Sequence, residues 1–180
     1  NGTFPNEVVP RLAELGVFGA TLQGYGCAGL NNITYGLILQ ELERGDSGLR
    51  SFASVQSSLC MYPIHAYGSE EQKQRWLPKL ASGELIAGIA MTEPGAGSDL
   101  KAVRTRARRE GDDYVIDGSK VFITNGFTAN LLVVVVRTGE AGAKGVSLVV
   151  LETENLPGFR VNILEKIGLH ASDTCELFFD

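Results

Sequence analysis

The feature that most constrains this chain is a change of period after Glu84. Before it, apolar residues recur at helical spacing. After it, strand-sized runs follow one another at 86–91, 103–109, 114–117, 121–124, 131–138, 146–152, 159–163 and 175–179. Turn signals separate them: Glu110-Gly111-Asp112-Asp113, Asp117-Gly118-Ser119, Asn125-Gly126 and Pro157-Gly158. Helices segregated from strands predict an α+β chain. We expect an all-α domain over residues 1–85, incomplete at its N-terminus, and an antiparallel β-barrel or sandwich over 86–180.

The helical half divides at its glycines. Val8, Leu12, Leu15 and Phe18 predict one amphipathic helix over 7–18. A glycine-rich loop, Gly24 to Gly29, follows. No strand precedes it, so it is not a dinucleotide-binding turn. Asn31 or Asn32 caps the next helix, with Ile33, Leu37, Ile38 and Leu42 on one face. A Ser- and Ala-rich helix is expected over 49–61, its small residues suited to close packing. Ser69 and Gln72 form a capping box for a helix carrying Trp76 and Leu80, with Pro78 in its last turn.

Hydrophobic residues make up 44% of the 180 and charged residues 21%, the balance of a globular protein. A net charge of −5, with both signs interspersed, gives no nucleic-acid footprint. No run approaches the roughly 18 apolar residues of a membrane span. Cys27, Cys60 and Cys175 are odd in number and lack ligand spacing, as expected of free thiols in a reducing compartment. Two histidines, His65 and His170, do not make a zinc set, and no metal site is expected.

Two stretches carry the chemistry. Ile89 to Asp99 leads an apolar run into Thr92-Glu93-Pro94-Gly95-Ala96-Gly97-Ser98-Asp99. Pro94 fixes a backbone angle, the glycines permit close approach, and Thr92 and Ser98 offer hydroxyls. Alone, this stretch is equally a surface turn. The second stretch is Lys120-Val121-Phe122-Ile123-Thr124-Asn125-Gly126. Phe122 can cover a planar ring, with Thr124 on the same strand face. Alone, it is equally a half-buried strand ending in a turn. Glu93 is a candidate base by residue type, but its place in the turn favours a structural hydrogen-bonding role.

Together, in this order, the two stretches resemble the flavin-binding signature of the acyl-CoA dehydrogenases. Tyr67-Gly68-Ser69-Glu70-Glu71-Gln72, Trp76-Leu77-Pro78 and Ser82-Gly83-Glu84 resemble that family's entry into its middle domain. The closing Lys166 to Thr174 resembles its late β segment. The resemblance implies FAD as cofactor, with Ile89, Met91, Thr92, Gly97, Ser98, Phe122, Ile123 and Thr124 as its binding residues. Ser98 also contacts the thioester ligand on this reading. Donors near the flavin edge stabilise the anionic reduced ring.

Glu41 to Ser58, with Gly24 to Gly29 before it, resembles the glutaryl-CoA dehydrogenase branch. That implies Arg50 as clamp for the distal carboxylate of a dicarboxyl acyl chain, helped by Ser51 and Ser54. The plainer alternative is a surface arginine paired with Glu43 or Asp46. The β half departs from that branch: Gly95-Ala96-Gly97 and Phe122, where the branch usually has Trp, are the forms common among straight- and branched-chain acyl-CoA dehydrogenases.

The resemblance implies α,β-dehydrogenation of an acyl-CoA to its trans-2-enoyl product, with glutaryl-CoA first and decarboxylation to crotonyl-CoA as a further step. Straight- or branched-chain acyl-CoA dehydrogenase, acyl-CoA oxidase and a flavin-free binding relative stay open as alternatives. It further implies an electron-transfer flavoprotein as acceptor, a homotetramer, and residence in the bacterial cytoplasm or mitochondrial matrix. The family's base is a glutamate in a C-terminal helical domain, so no residue among these 180 is assigned as base and the segment alone is expected to be inactive.

Overall fold

The structure, a computed structural model, describes residues 3–180. Helices α1 (Val9–Glu14), α2 (Asn32–Gly45), α3 (Ser47–Ser54), α4 (Tyr62–Tyr67) and α5 (Glu70–Ala81) come first, with a π-helical segment, Val55–Met61, between α3 and α4. Strands β1 (Ala87–Ala90), β2 (Arg106–Glu110), β3 (Asp113–Thr124), β4 (Leu131–Arg137), β5 (Val146–Glu152), β6 (Phe159–Ile163) and β7 (Thr174–Phe179) follow. Contacts group the chain into two compact units. One holds the residues up to Gly88 together with Lys166–Ser172; the other holds Ile89–Glu165 and Asp173–Asp180. No helix among the described residues is long and apolar enough to cross a membrane.

In the helical unit the first helix is shorter than its sequence pattern. It stops at Glu14, Gly16 takes φ +70°, and Leu15 is left 74% exposed. Val17 and Phe18 are buried from the turn that follows, with Phe18 edge-on to Phe52. Asn31 caps α2 by accepting from Thr34 N–H. The expected apolar face of α2 is not buried: the helix has no buried residue, and Ile33 and Leu37 are 78% and 58% exposed. Ser69 and Gln72 make the capping box reciprocally, at 3.2 and 2.8 Å.

The Ser- and Ala-rich stretch is α3 continued by the π-helical segment. Gln56 is fully buried there. Its side-chain amide donates to Leu80 and Leu85 carbonyls at 3.0 and 2.8 Å and accepts from Ala87 N–H at 2.7 Å. Ser57 Oγ accepts from Gly19 N–H and donates to Val17 carbonyl. These two polar side chains pin α5 and the chain after α1 to one helix, which explains small polar residues in a buried position.

The β unit is a curled mixed sheet. Its strands run β1-β4-β2-β3-β7-β6, with β5 also on β4. β2–β3, β3–β7, β4–β5 and β6–β7 pair antiparallel, as expected, and one contact departs from that pattern. β2 meets β4 in parallel at Arg106↔Arg137, where Arg137 N–H donates to Thr105 carbonyl at 2.7 Å. β5 covers the whole length of β4 on its other edge, from Leu131↔Glu152 to Arg137↔Val146. All of β4 is buried, so it reads as a continuous apolar run. Leu132, Val134 and Val136 join the main core with Ala107, Ile123, Leu177 and Phe179. Val135 faces a second, smaller cluster with Ala96 and Val103.

Asp117-Gly118-Ser119 is not a turn, as the sequence predicts, but the middle of β3. Residues 113–117 pair with β2, and the pairing then passes to β7 at Gly118↔Phe179. Gly118 takes φ +144°, and a Cβ there would lie 2.6 Å from Thr105 Oγ1 and 2.7 Å from its Cα. The glycine is the point where one strand changes partners and another backbone presses against it.

Candidate functional site

The two signature stretches lie side by side in the β unit. Val121 N–H donates to Thr92 carbonyl at 2.9 Å. One residue along, Lys120 Nζ donates to Met91 carbonyl at 3.1 Å and to Glu93 Oε1 at 2.9 Å. Glu93 closes the following turn through its backbone, exchanging N–H···O bonds with Ala96 at 3.0 and 3.1 Å. Ala96 then sinks against Val103 and Val135. The first stretch is thus fixed at both ends of its turn, and Pro94, Gly95, Gly97 and Ser98 stand exposed around it.

Glu93 is a buried hub. Its carboxylate accepts from Arg104 N–H at 2.7 Å and Thr105 N–H at 2.9 Å as well as from Lys120. It is a structural anchor facing inward, as its place in the turn led us to expect. Burial alone would raise its pKa. Hydrogen bonding from Thr105, the Arg104 amide and Lys120 outweighs that and holds it below the ordinary glutamate range. Burial pushes Lys120 below its ordinary range, and Glu93 only partly opposes this.

A further buried arginine supports the loop between the turn and β2. Arg137 donates to the Val103, Lys101 and Glu140 carbonyls at 2.9, 2.7 and 2.6 Å, and to Gly142 carbonyl at 3.2 Å. Neither Lys120 as an anchor nor Arg137 is evident from sequence. The one available signal is a cation among strand residues whose neighbours are apolar, at Lys120 before Val121 and Arg137 after Val136.

The second stretch presents its aromatic through a bulge. Register between β3 and β7 shifts between Lys120 and Ile123, and Phe122 sits there at φ 61° with 67% of its surface exposed. A bulge re-aims a side chain, and a bulky residue at positive φ is costly unless its setting requires it. Ile123, expected among the binding residues, is 2% exposed and belongs to the core as a side chain. Ile89, Met91, Thr92 and Thr124 are half-buried. The hydroxyls of Thr92, Ser98 and Thr124 have no partner among the described residues. A Cβ at Gly95 or Gly97 would meet nothing within 4 Å, so packing within the chain does not require glycine there. Phe127, 64% exposed just beyond the Asn125-Gly126 turn, is a further surface aromatic that the sequence pattern does not single out.

Arg50 lies on α3, with Ser51 beside it and Ser54 one turn on; all three are half-buried. Arg50 Nε donates to Glu43 Oε2 at 2.7 Å. Glu43 also accepts from Ser47 Oγ, and the hydrogen bonds from Arg50 and Ser47 hold its carboxyl below the ordinary range. Asp46 is otherwise engaged, capping α3 through Gly48 and Leu49 N–H. The terminal nitrogens of Arg50 have no partner among the described residues.

Comparison with known proteins fits this geometry. Residues 1–84 match the acyl-CoA dehydrogenase N-terminal domain and residues 88–180 match the acyl-CoA dehydrogenase middle domain. The chain belongs to the acyl-CoA dehydrogenase family. It is 40% identical over 182 residues to a glutaryl-CoA dehydrogenase of Desulfococcus multivorans, covering 98% of this chain and 47% of that protein. It is 41% identical over 182 residues to a short-chain specific acyl-CoA dehydrogenase of Clostridium acetobutylicum, with the same coverage. A crystal structure of glutaryl-CoA dehydrogenase from Mycobacterium smegmatis in complex with FADH2 superimposes with a TM-score of 0.93 at 48% identity, covering 99% of this chain and 45% of that one. The chain spans about half the length of the relatives it matches.

Proposed function

We propose that this chain supplies the flavin-binding wall of an FAD-dependent acyl-CoA dehydrogenase. The observation that carries this is the fastening of the two signature stretches, Thr92 to Val121 and Glu93 to Lys120, into one surface. That surface carries an exposed aromatic, Phe122, and unpartnered hydroxyls of Thr92, Ser98 and Thr124. These groups fit a flat ring with acceptor edges: Phe122 to cover it, with Met91 and Ile89 as apolar lining, and Thr92 and Thr124 to meet its polar rim. Gly97 and Ser98 leave room for bulky neighbours, because among the described residues nothing fills the space beside Gly97. When bound, FAD supplies the hydride acceptor for α,β-dehydrogenation of an acyl-CoA. The chain's own part is to bind the ring, turn donors toward it and keep the Glu93 and Lys120 charges inside the wall.

For substrate we favour glutaryl-CoA. Arg50 keeps the forked end of its guanidinium uncommitted and so suits a distal carboxylate, with Ser51 and Ser54 as auxiliary donors. A second reading, a straight- or branched-chain substrate, is supported by the equal likeness to the short-chain enzyme and by Gly95-Ala96-Gly97 and Phe122. Electron-transfer flavoprotein as acceptor, a homotetramer, and residence in a bacterial cytoplasm or mitochondrial matrix complete the proposal. The test is purification of the complete gene product. A flavin absorption band that bleaches on anaerobic addition of glutaryl-CoA supports the reading, and a protein that takes up no FAD contradicts it.

A further inference from the structure

The Met91–Thr92 peptide is held from one side only. Lys120 Nζ donates to its carbonyl oxygen at 3.1 Å, and Glu93 Oε1 fixes that ammonium at 2.9 Å, with Lys120 1% and Glu93 7% exposed. In a trans peptide the N–H points opposite to the C=O. The Thr92 N–H therefore points away from Lys120, and among the described residues it has no acceptor. The next carbonyl, of Thr92, is taken by Val121 N–H at 2.9 Å. Two consecutive carbonyls are thus drawn toward β3, and the intervening N–H is left facing the other way.

From this we infer that Lys120, steadied by Glu93, is a positioning residue that sets the Met91–Thr92 peptide plane so that the Thr92 N–H is offered to the ligand of the wall. The inference rests on the flavin reading above and deepens it by naming the backbone donor and the buried cation that aims it. Lys120 itself touches no ligand. Its position one residue before the hydrogen bond of Val121, and two before the bulge at Phe122, also ties the aim of that donor to the placement of the aromatic. A peptide plane without a fixed partner rotates more freely, and a donor that has to be ordered on binding contributes less to affinity.

The experiment uses the complete gene product with FAD as probe. Lys120→Met removes the donor, and Lys120→Gln retains an N–H group at that position. Glu93→Gln with Lys120→Met removes both charges together. We expect Lys120→Met to weaken FAD binding about tenfold and to shift the flavin visible band, the size that loss of one aimed hydrogen bond produces. Lys120→Gln recovers part of both. The double variant recovers thermal stability, because no unpaired buried charge remains, but not the affinity or the spectrum. Wild-type affinity and spectrum in Lys120→Met, or their full return in the double variant, overturns the inference while leaving the flavin reading standing. Failure of the wild-type protein to take up FAD overturns both.

Discussion

Lys120 Nζ lies 2.9 Å from Glu93 Oε1, and both side chains are almost sealed from solvent. The pair joins the two stretches that carry the family signature, 27 residues apart in sequence. Its members are not equivalent. Glu93 is also held by backbone donors at Arg104 and Thr105, whereas among the described residues Lys120 has only Met91 carbonyl besides Glu93.

Removing either partner leaves the other's charge buried without its counter-ion. Lys120→Met leaves a buried carboxylate, and we expect it to cost about 3–5 kcal/mol of stability. Glu93→Gln with Lys120→Met is expected to recover most of that. Thermal and urea unfolding of the two variants checks it. Equal losses in both would mean that the pair is not coupled as the geometry states.

Acid acts on the same pair. The Glu93 pKa is lowered on folding from its ordinary 4.5, so the folded state holds fewer protons there than the unfolded chain. Its contribution is complete above pH 4.5 and is lost as pH falls below that, through the lower folded value. Glu43 and Glu70 shift in the same direction, so the readout is the difference between wild type and Glu93→Gln. The wild type should lose stability more steeply with acid than the variant. Parallel curves would contradict this.

The strain at Phe122 separates stability from binding. Its φ of 61° is unfavourable for a bulky residue, and its ring is mostly exposed. Phe122→Gly relieves about 1 kcal/mol of backbone strain and removes little buried area. We expect unchanged or raised unfolding midpoints together with weaker flavin binding. A large loss of stability would show that the ring serves the fold.

Much of the architecture is legible in the sequence, and the exceptions share a cause. The change of period at Glu84, the capping box at Ser69 and the bounds of β5 and β6 depend on local pattern, and they appear as expected. Gly118 looks like a turn because local chemistry cannot tell a turn from a strand that changes partners against Thr105. Leu15 fits a helical face but lies past a helix that Gly16 ends. The π-helical segment at Gln56 and the parallel meeting of Arg106 with Arg137 depend on residues distant in sequence. In the site, Phe122 and Thr92 were visible as types. The bulge that exposes Phe122 and turns Ile123 into the core was not.

On the glutaryl reading, Arg50 is the residue that selects the acyl chain. Its pairing with Glu43 is exposed to solvent, so Arg50→Ala should leave the unfolding midpoint where it is. On the glutaryl reading it raises KM for glutaryl-CoA by about tenfold or more and hardly changes KM for butyryl-CoA, as expected for loss of a charge-assisted hydrogen bond. Equal effects on both substrates would assign Arg50 to the surface pair alone.

On the proposed function, the surface fastened by Glu93 and Lys120 is a flavin wall. The most direct measurement is FAD binding by the complete gene product, compared with its Phe122→Gly and Thr92→Val variants, followed by the flavin absorption band. We expect a flavin-loaded wild-type protein and weaker loading in both variants at undiminished fold stability. A wild-type protein that binds no FAD, or variants that bind it as tightly as wild type, would contradict it.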